Sequence, residues 1–140
     1  MIFTDRERDY LAGQGLGRLA TIGPDGTPHV RPVGFRLNED DTIDIGGPNL
    51  RSSQKYRNVR TDPKVSFIAD DLTPDEPGAI RPGWGRGVEI RGLAELLETD
   101  RPLAPGFSDE VIRVHARRVL SLNLDAPGSQ ARDIERGADS

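Results

Sequence analysis

The 140-residue chain has no cysteine. Disulfides, thiolate metal sites and a cysteine nucleophile are therefore excluded. It has only two histidines, His29 and His115. They lie far apart and have no carboxylates at metal-ligand spacing, so no metal site is expected and a structural or surface role is favoured for each. Aromatic residues make up 5% of the chain, which leaves little core for a barrel of this size. Neither sign of charge dominates: 19 Lys+Arg against 23 Asp+Glu give a net charge of -4. That balance does not favour general nucleic-acid binding, although a local basic groove for a small anionic ligand remains allowed. No apolar run approaches membrane-spanning length, so no membrane partner is expected. Residues 1–8 lack the apolar segment of a signal peptide, so the expected location is the cytoplasm. There is no Gly-x-Ser-x-Gly elbow and no P-loop. With no autonomous catalytic set in view, a cofactor is expected to carry any chemistry.

What is present fits one domain, with a core over about residues 4–122 and a polar C-terminal tail at 126–140. Thr4 and Glu7 form a capping-box signature for a first helix. Residues 16–22 and 29–37 read as strands joined by the turn Pro24-Asp25-Gly26-Thr27. Pro32 cannot donate to a ladder, which suggests an edge, a bulge or a cleft. Further strand signals lie at 42–45, 65–69 and 87–96, with a last one at 111–122 broken near 115–118. About six strands with short helices predict a mainly β fold, a small antiparallel barrel. A second copy would protect its edges, so a homodimer is expected.

Residues 46–60 organise the chain. They read as a short helix between two strands, opened by Gly46 and Gly47, with Asn49, Ser52 and Ser53 as candidate caps. Arg51, Lys55 and Asn58 fall on one helical face, while Tyr56 and Val59 can pack inward. Two readings stand for that face: a solvated basic helix, or an anion site with Lys55 as a point charge on phosphate. The pair Asp70-Asp71 reads as a solvated turn, and Arg113, Arg117 and Arg118 as solvated charge. The long Pro/Gly loop at 70–85 holds the single tryptophan, Trp84. Either Trp84, with Arg81 or Arg86, forms a flat wall beside a substrate, or it caps the barrel as core.

The order Leu19-Ala20-Thr21, Pro24-Asp25-Gly26-Thr27-Pro28-His29, Pro32-Val33-Gly34-Phe35, Ser53-Gln54-Lys55-Tyr56-Arg57-Asn58-Val59, Asp62-Pro63-Lys64-Val65 and Gly87-Val88-Glu89-Ile90-Arg91-Gly92 resembles the pyridoxamine 5'-phosphate oxidase-like (PPOX class) split β-barrel family. It is most similar to the flavin/deazaflavin oxidoreductase branch B, the coenzyme F-420-dependent group of actinobacteria. The short variant with Gly46-Gly47-Pro48-Asn49 and Asp70-Asp71-Leu72 resembles the subgroup with the late-stage reductase of oxytetracycline biosynthesis. The resemblance implies an FMN-binding type of split barrel and a homodimer with two cofactor sites at the subunit interface. It implies hydride transfer from reduced coenzyme F-420 to a small unsaturated organic substrate, such as a dehydrotetracycline. The alternatives are FMN as cofactor, or a non-catalytic flavin or deazaflavin carrier. Ser53, Lys55 and Asn58 match the phosphate region, and Pro32, Val33 and Gly34 the ring region. Where many relatives carry a basic residue two before the lysine this chain has Ser53, so Arg51 or Arg57 is the candidate replacement. The proton would come from solvent or from Tyr56. The family also contains haem-degrading members, and no haem-ligating pattern is evident.

Overall fold

A computed structural model describes residues 1–135. Two helices, α1 (Asp5–Ala12) and α2 (Gln54–Thr61), accompany eight strands. The strands are β1 (Gly17–Ile22), β2 (Pro28–Val33), β3 (Phe35–Leu37), β4 (Ile43–Ile45), β5 (Lys64–Leu72), β6 (Gly85–Glu98), β7 (Glu110–Leu122) and β8 (Ser129–Asp133). The sheet runs β2-β1-β5-β6-β7-β4-β3, and β8 pairs with β7. Every pairing is antiparallel.

The sheet ends β2 and β3 are separated in sequence by Gly34 alone. The run 28–37 therefore pairs with β1 through its first half and with β4 through its second. This continuity curls the sheet into a split β-barrel. Alternation sorts the faces: on β5, Val65, Phe67 and Ala69 point into the core while Lys64 and Leu72 stay exposed. Phe35 meets Phe67 edge-on, with ring centroids 4.9 Å apart. Tyr10 and Leu11 of α1, and Tyr56 and Val59 of α2, join the same core cluster. Among the described residues, no helix is long and apolar enough to cross a membrane.

The capping box forms as the sequence suggests: Thr4 Oγ1 accepts from Glu7 N–H, and a Glu7 carboxylate oxygen accepts from Thr4 N–H. Several other expectations need correction. The strand expected at 111–122 is β7, continuous through residues 115–118, and the irregularity there is a bulge, because pairing shifts from Arg91↔Arg118 to Gly92↔Ala116. Backbones close so tightly at this point that a Cβ on Gly92 would lie 1.9 Å from the His115 carbonyl oxygen. The tail is partly structured. β8 lies on β7, and Arg132 reaches back to the buried Glu7 at 2.6 Å and to the Ile2 carbonyl at 2.7 Å. The end of the expected tail, 136–140, lies outside the described residues.

The carboxylate pair is not free either. Asp70 bonds Arg18, and Asp71 takes two bonds from Arg86 and one from the Tyr10 hydroxyl. Arg113 grips the fully buried Asp44 through two bonds and so ties β7 to β4, while Arg118 pairs with Asp133.

Burial pushes the Glu7 carboxyl up, but Arg132 and the Thr4 N–H outweigh it and its pKa falls below the ordinary 4.5. Burial likewise opposes ionisation of Asp44, and Arg113 and Arg36 overcome it, so its pKa lies below the ordinary 3.8. Depressed native values mean stabilisation that is present above the unfolded-state pKa and lost as the pH falls through the native one. Melting temperature should hold between neutrality and about pH 5 and drop below about pH 4. A melting temperature unchanged at pH 3 would show that these buried carboxylates do not support the fold.

Candidate functional site

The helix α2 starts later than its sequence suggests. Ser53 is the N-cap, its Oγ accepting from Tyr56 N–H at 3.3 Å and donating to the Leu50 carbonyl at 2.6 Å. Leu50–Ser52 is a separate 3-10 turn. Arg51 therefore leaves the face assigned to it. It is exposed and paired with Glu110 at 3.2 Å and Glu98 at 3.8 Å, so its charge is already countered. Gly46 and Gly47 are buried under the 99–109 loop. A Cβ on Gly46 would meet the Phe107 ring at 3.1 Å, and the Gly47 carbonyl accepts two bonds from Ser108. The glycine pair receives the protein's own loop and leaves no opening there for a ligand.

The start of α2 faces the β1–β2 hairpin across a cleft of about 610 Å³. Thr21, His29 and Arg31 form its hairpin wall, and Ser53, Gln54 and Lys55 its helix wall. The hairpin places its three residues together by register: Thr21 opposes His29 and Leu19 opposes Arg31, so they share one face of the hairpin, with His29 half-buried and Arg31 exposed. Lys55 is half-buried. Neither Lys55 nor Arg31 has a hydrogen bond or counter-ion among the described residues, in contrast to Arg51, Arg86 and Arg113. Burial, with the added positive charge of Arg31, pushes the Lys55 ammonium below the ordinary lysine pKa. Two cations meeting in a cleft without an anion are an unfavourable arrangement that a bound anion would relieve.

Asn58 does not face that cleft as a free amide. It is 3% exposed, and all its polar atoms are engaged. Arg57 donates to Gln54 Oε1 at 2.8 Å, and Gln54 Nε2 donates to Asn58 Oδ1 at 2.7 Å. Asn58 Nδ2 then reaches Thr21 Oγ1 and His29 Nδ1, each at 3.0 Å. This chain pins α2 to the hairpin. The His29 ring fits because residue 23 is glycine: a Cβ there would lie 2.4 Å from His29 Nε2. A second cleft of about 680 Å³, bordered by Gly23, Arg57 and Arg60, lies beyond Gln54 and Asn58.

The other expected site residues are dispersed. Pro32 is exposed on β2, Val33 is core, and Gly34 forms the corner between β2 and β3. Tyr56 is buried in the core cluster and does not line the cleft. Ser52 is exposed and bonds Asn49. Trp84 is 59% exposed, which rules out its role as a core cap, and the Arg81 guanidinium stacks on it at 4.8 Å. Its loop is closed at the base by Thr73 N–H to Trp84 O and Gly83 N–H to Thr73 O, both 2.8 Å. Leu72 at the end of β5 pairs with Gly85 at the start of β6, and the two flank this loop at the end of β5 opposite Lys64, near which Ala20 of β1 pairs with Ser66. Sequence reasoning missed Thr21, His29, Arg31 and Gln54. The signal was in the hairpin: His29 and Arg31, two apart on one strand, share a face.

Comparison with known proteins gives consistent matches. The family model described as pyridoxamine 5'-phosphate oxidase matches residues 3–136. A 5a,11a-dehydrotetracycline/5a,11a-dehydrooxytetracycline reductase of Streptomyces rimosus is 40% identical over 139 residues, covering 96% of this chain and 94% of that protein. A solved F420 reductase superposes with a TM-score of 0.61 at 25% identity, covering 84% of this chain and 98% of its own. A haem-binding protein of Mycobacterium smegmatis superposes with a TM-score of 0.68 at 18% identity. This chain covers 57% of that protein's length and is itself covered over 92%, a likeness of fold alone.

Replacing Asn58 by Leu would strand the Gln54 side chain and remove the donor to Thr21 and His29. Unfolding in urea should show a loss of about 1–3 kcal/mol. A loss below about 0.5 kcal/mol, the level of an ordinary surface change, would mean that the network does not hold α2 in place.

Proposed function

The chain belongs to the pyridoxamine 5'-phosphate oxidase family, and we propose that within it this protein is an oxidoreductase that uses coenzyme F-420 to reduce an unsaturated organic substrate of the dehydrotetracycline kind. The 40% identity to a dehydrotetracycline reductase over nearly the whole chain supports the reaction and substrate class. The likeness to an F420 reductase supports the cofactor. The observation that carries the reading is the pair Lys55 and Arg31, two cations without a counter-ion in one cleft.

The donors in that cleft fit a phosphate-bearing group. Lys55 offers a point charge and Arg31 a planar fork. The start of α2 lines the same wall, and the positive end of a helix dipole favours an anion. Ser53 holds that helix end in place through its cap. Arg31 replaces Arg51 and Arg57 as the second phosphate cation in this reading. Arg51 is neutralised, and Arg57 donates to Ser52 O and Gln54. The coenzyme, when bound, supplies the hydride. The protein's part is to fix the anionic end of the ligand and so orient its reactive face. The buried Tyr56 does not line the cleft, so solvent is the favoured proton source.

The reading includes a homodimer. Val30 on β2, Leu72 at the end of β5 and Leu16 just before β1 are exposed apolar residues. A second copy laid there would also cover the rim of the cleft at Val30. Trp84 with Arg81 then serves as an exposed planar wall for a substrate held between the two copies, and Arg86 is the strut that fixes the base of its loop to Asp71.

Titration with F-420 and, separately, with FMN tests the cofactor. F-420 should bind, and Lys55→Ala should weaken it by about 1.5–3 kcal/mol, roughly ten- to a hundredfold, without loss of the fold. Micromolar FMN binding with no F-420 binding overturns the cofactor. Cofactor binding without turnover of any enone, quinone or dehydrotetracycline points instead to a carrier. For Trp84, fluorescence of the chain's single tryptophan should be quenched on adding cofactor or substrate. Unchanged emission, with turnover intact in Trp84→Leu, removes it from the site.

A further inference from the structure

The hydrogen-bond chain into His29 has a forced polarity. Arginine can only donate, so Gln54 must turn its Oε1 toward Arg57 and its Nε2 toward Asn58. Asn58 must then present Oδ1 to Gln54 and Nδ2 to the hairpin. His29 Nδ1, 3.0 Å away, can only accept, so the neutral imidazole carries its proton on Nε2. Thr21 Oγ1 accepts from the same Nδ2 and keeps its own proton free. Among the described residues His29 Nε2 has no partner, and the ring lines the cleft of Lys55 and Arg31 while its Nε2 end lies over Gly23.

We propose that His29 is a ligand-binding residue of this cleft, donating its Nε2–H to an anionic oxygen of the ligand, and that Gln54 and Asn58 are positioning residues that set its tautomer. The inference rests on the reading of the cleft as a phosphate site and deepens it. Asn58, which the sequence pattern places on the phosphate, acts one step away, through His29 and Thr21. Without the network an imidazole is free to turn a lone pair toward the ligand, which would repel an anion. Gly23 belongs to the same device, because any side chain there would displace the ring.

The test uses the full-length protein, and its two histidines make the spectrum easy to assign, with His115→Gln identifying His29. His115 bonds Glu95 on the outside of the sheet, away from the cleft. In two-bond ¹H–¹⁵N spectra His29 should be protonated on Nε2 and bare on Nδ1. Its Nε2 resonance should move on addition of F-420 or FMN. In Gln54→Glu the carboxylate can only accept, so Asn58 must turn over and the His29 proton should shift to Nδ1. His29→Phe should weaken whichever cofactor binds by about tenfold, the loss of one hydrogen bond to a charged group. Wild-type protein with the proton on Nδ1, or His29→Phe with undiminished affinity, overturns this assignment and leaves the Lys55 site standing. Failure of the wild type to bind either cofactor overturns the phosphate site, and the role of His29 with it.

Discussion

One buried amide holds the cleft end of the molecule together. Asn58 joins α2 to the β1–β2 hairpin through bonds to Thr21 and His29, and it is itself oriented by Gln54 and Arg57. Its burial means that every unmade bond would carry the full desolvation cost of a polar group. The position of Lys55 opposite Arg31 follows from that docking. Two like charges in a half-closed cleft oppose each other, so the scaffold must hold them there by other means. The amide network and the Ser53 cap are those means, and an anion bound in the cleft would relieve the repulsion.

The barrel serves this arrangement by closing on itself. Because β2 and β3 are one run of chain bent at Gly34, β2 with His29 and Arg31 is anchored both to β1 and, through β3, to β4. Buried ion pairs lock the other seams: Asp44 to Arg113 and Arg36, and Glu7 to Arg132. The cations of these seams each have a carboxylate, which Lys55 and Arg31 lack among the described residues.

Much of the fold was legible from local pattern. Alternation found β1, β2, β5 and β6, the Thr4–Glu7 capping box found α1, and the Asp25–Gly26 turn found the hairpin, where Gly26 takes φ +84°. Lys55 was singled out by its helical face and by the family resemblance, and the structure puts it in a cleft. The misses share a cause. Whether Arg51 is free depends on Glu110, 59 residues away, and whether Gly46 is open depends on Phe107. β8 is polar on both faces and is recognised only through its pairing with β7. Asn58 was placed on the correct helix and in the correct neighbourhood, but its helical position does not reveal that its amide is consumed internally. Periodicity reports which face a residue occupies, and long-range contacts decide what that face meets.

The central claim is that Lys55 waits in its cleft as an uncompensated cation for an anionic ligand. Only Lys55 and Lys64 are lysines, so ¹³C-labelled lysine gives two side-chain signals, assigned by Lys64→Arg. Titrated with pH, Lys55 should ionise below the ordinary lysine value in the free protein and shift upward when F-420 or FMN is added. A Lys55 that titrates as an ordinary exposed lysine, and is unmoved by either cofactor, would contradict the account.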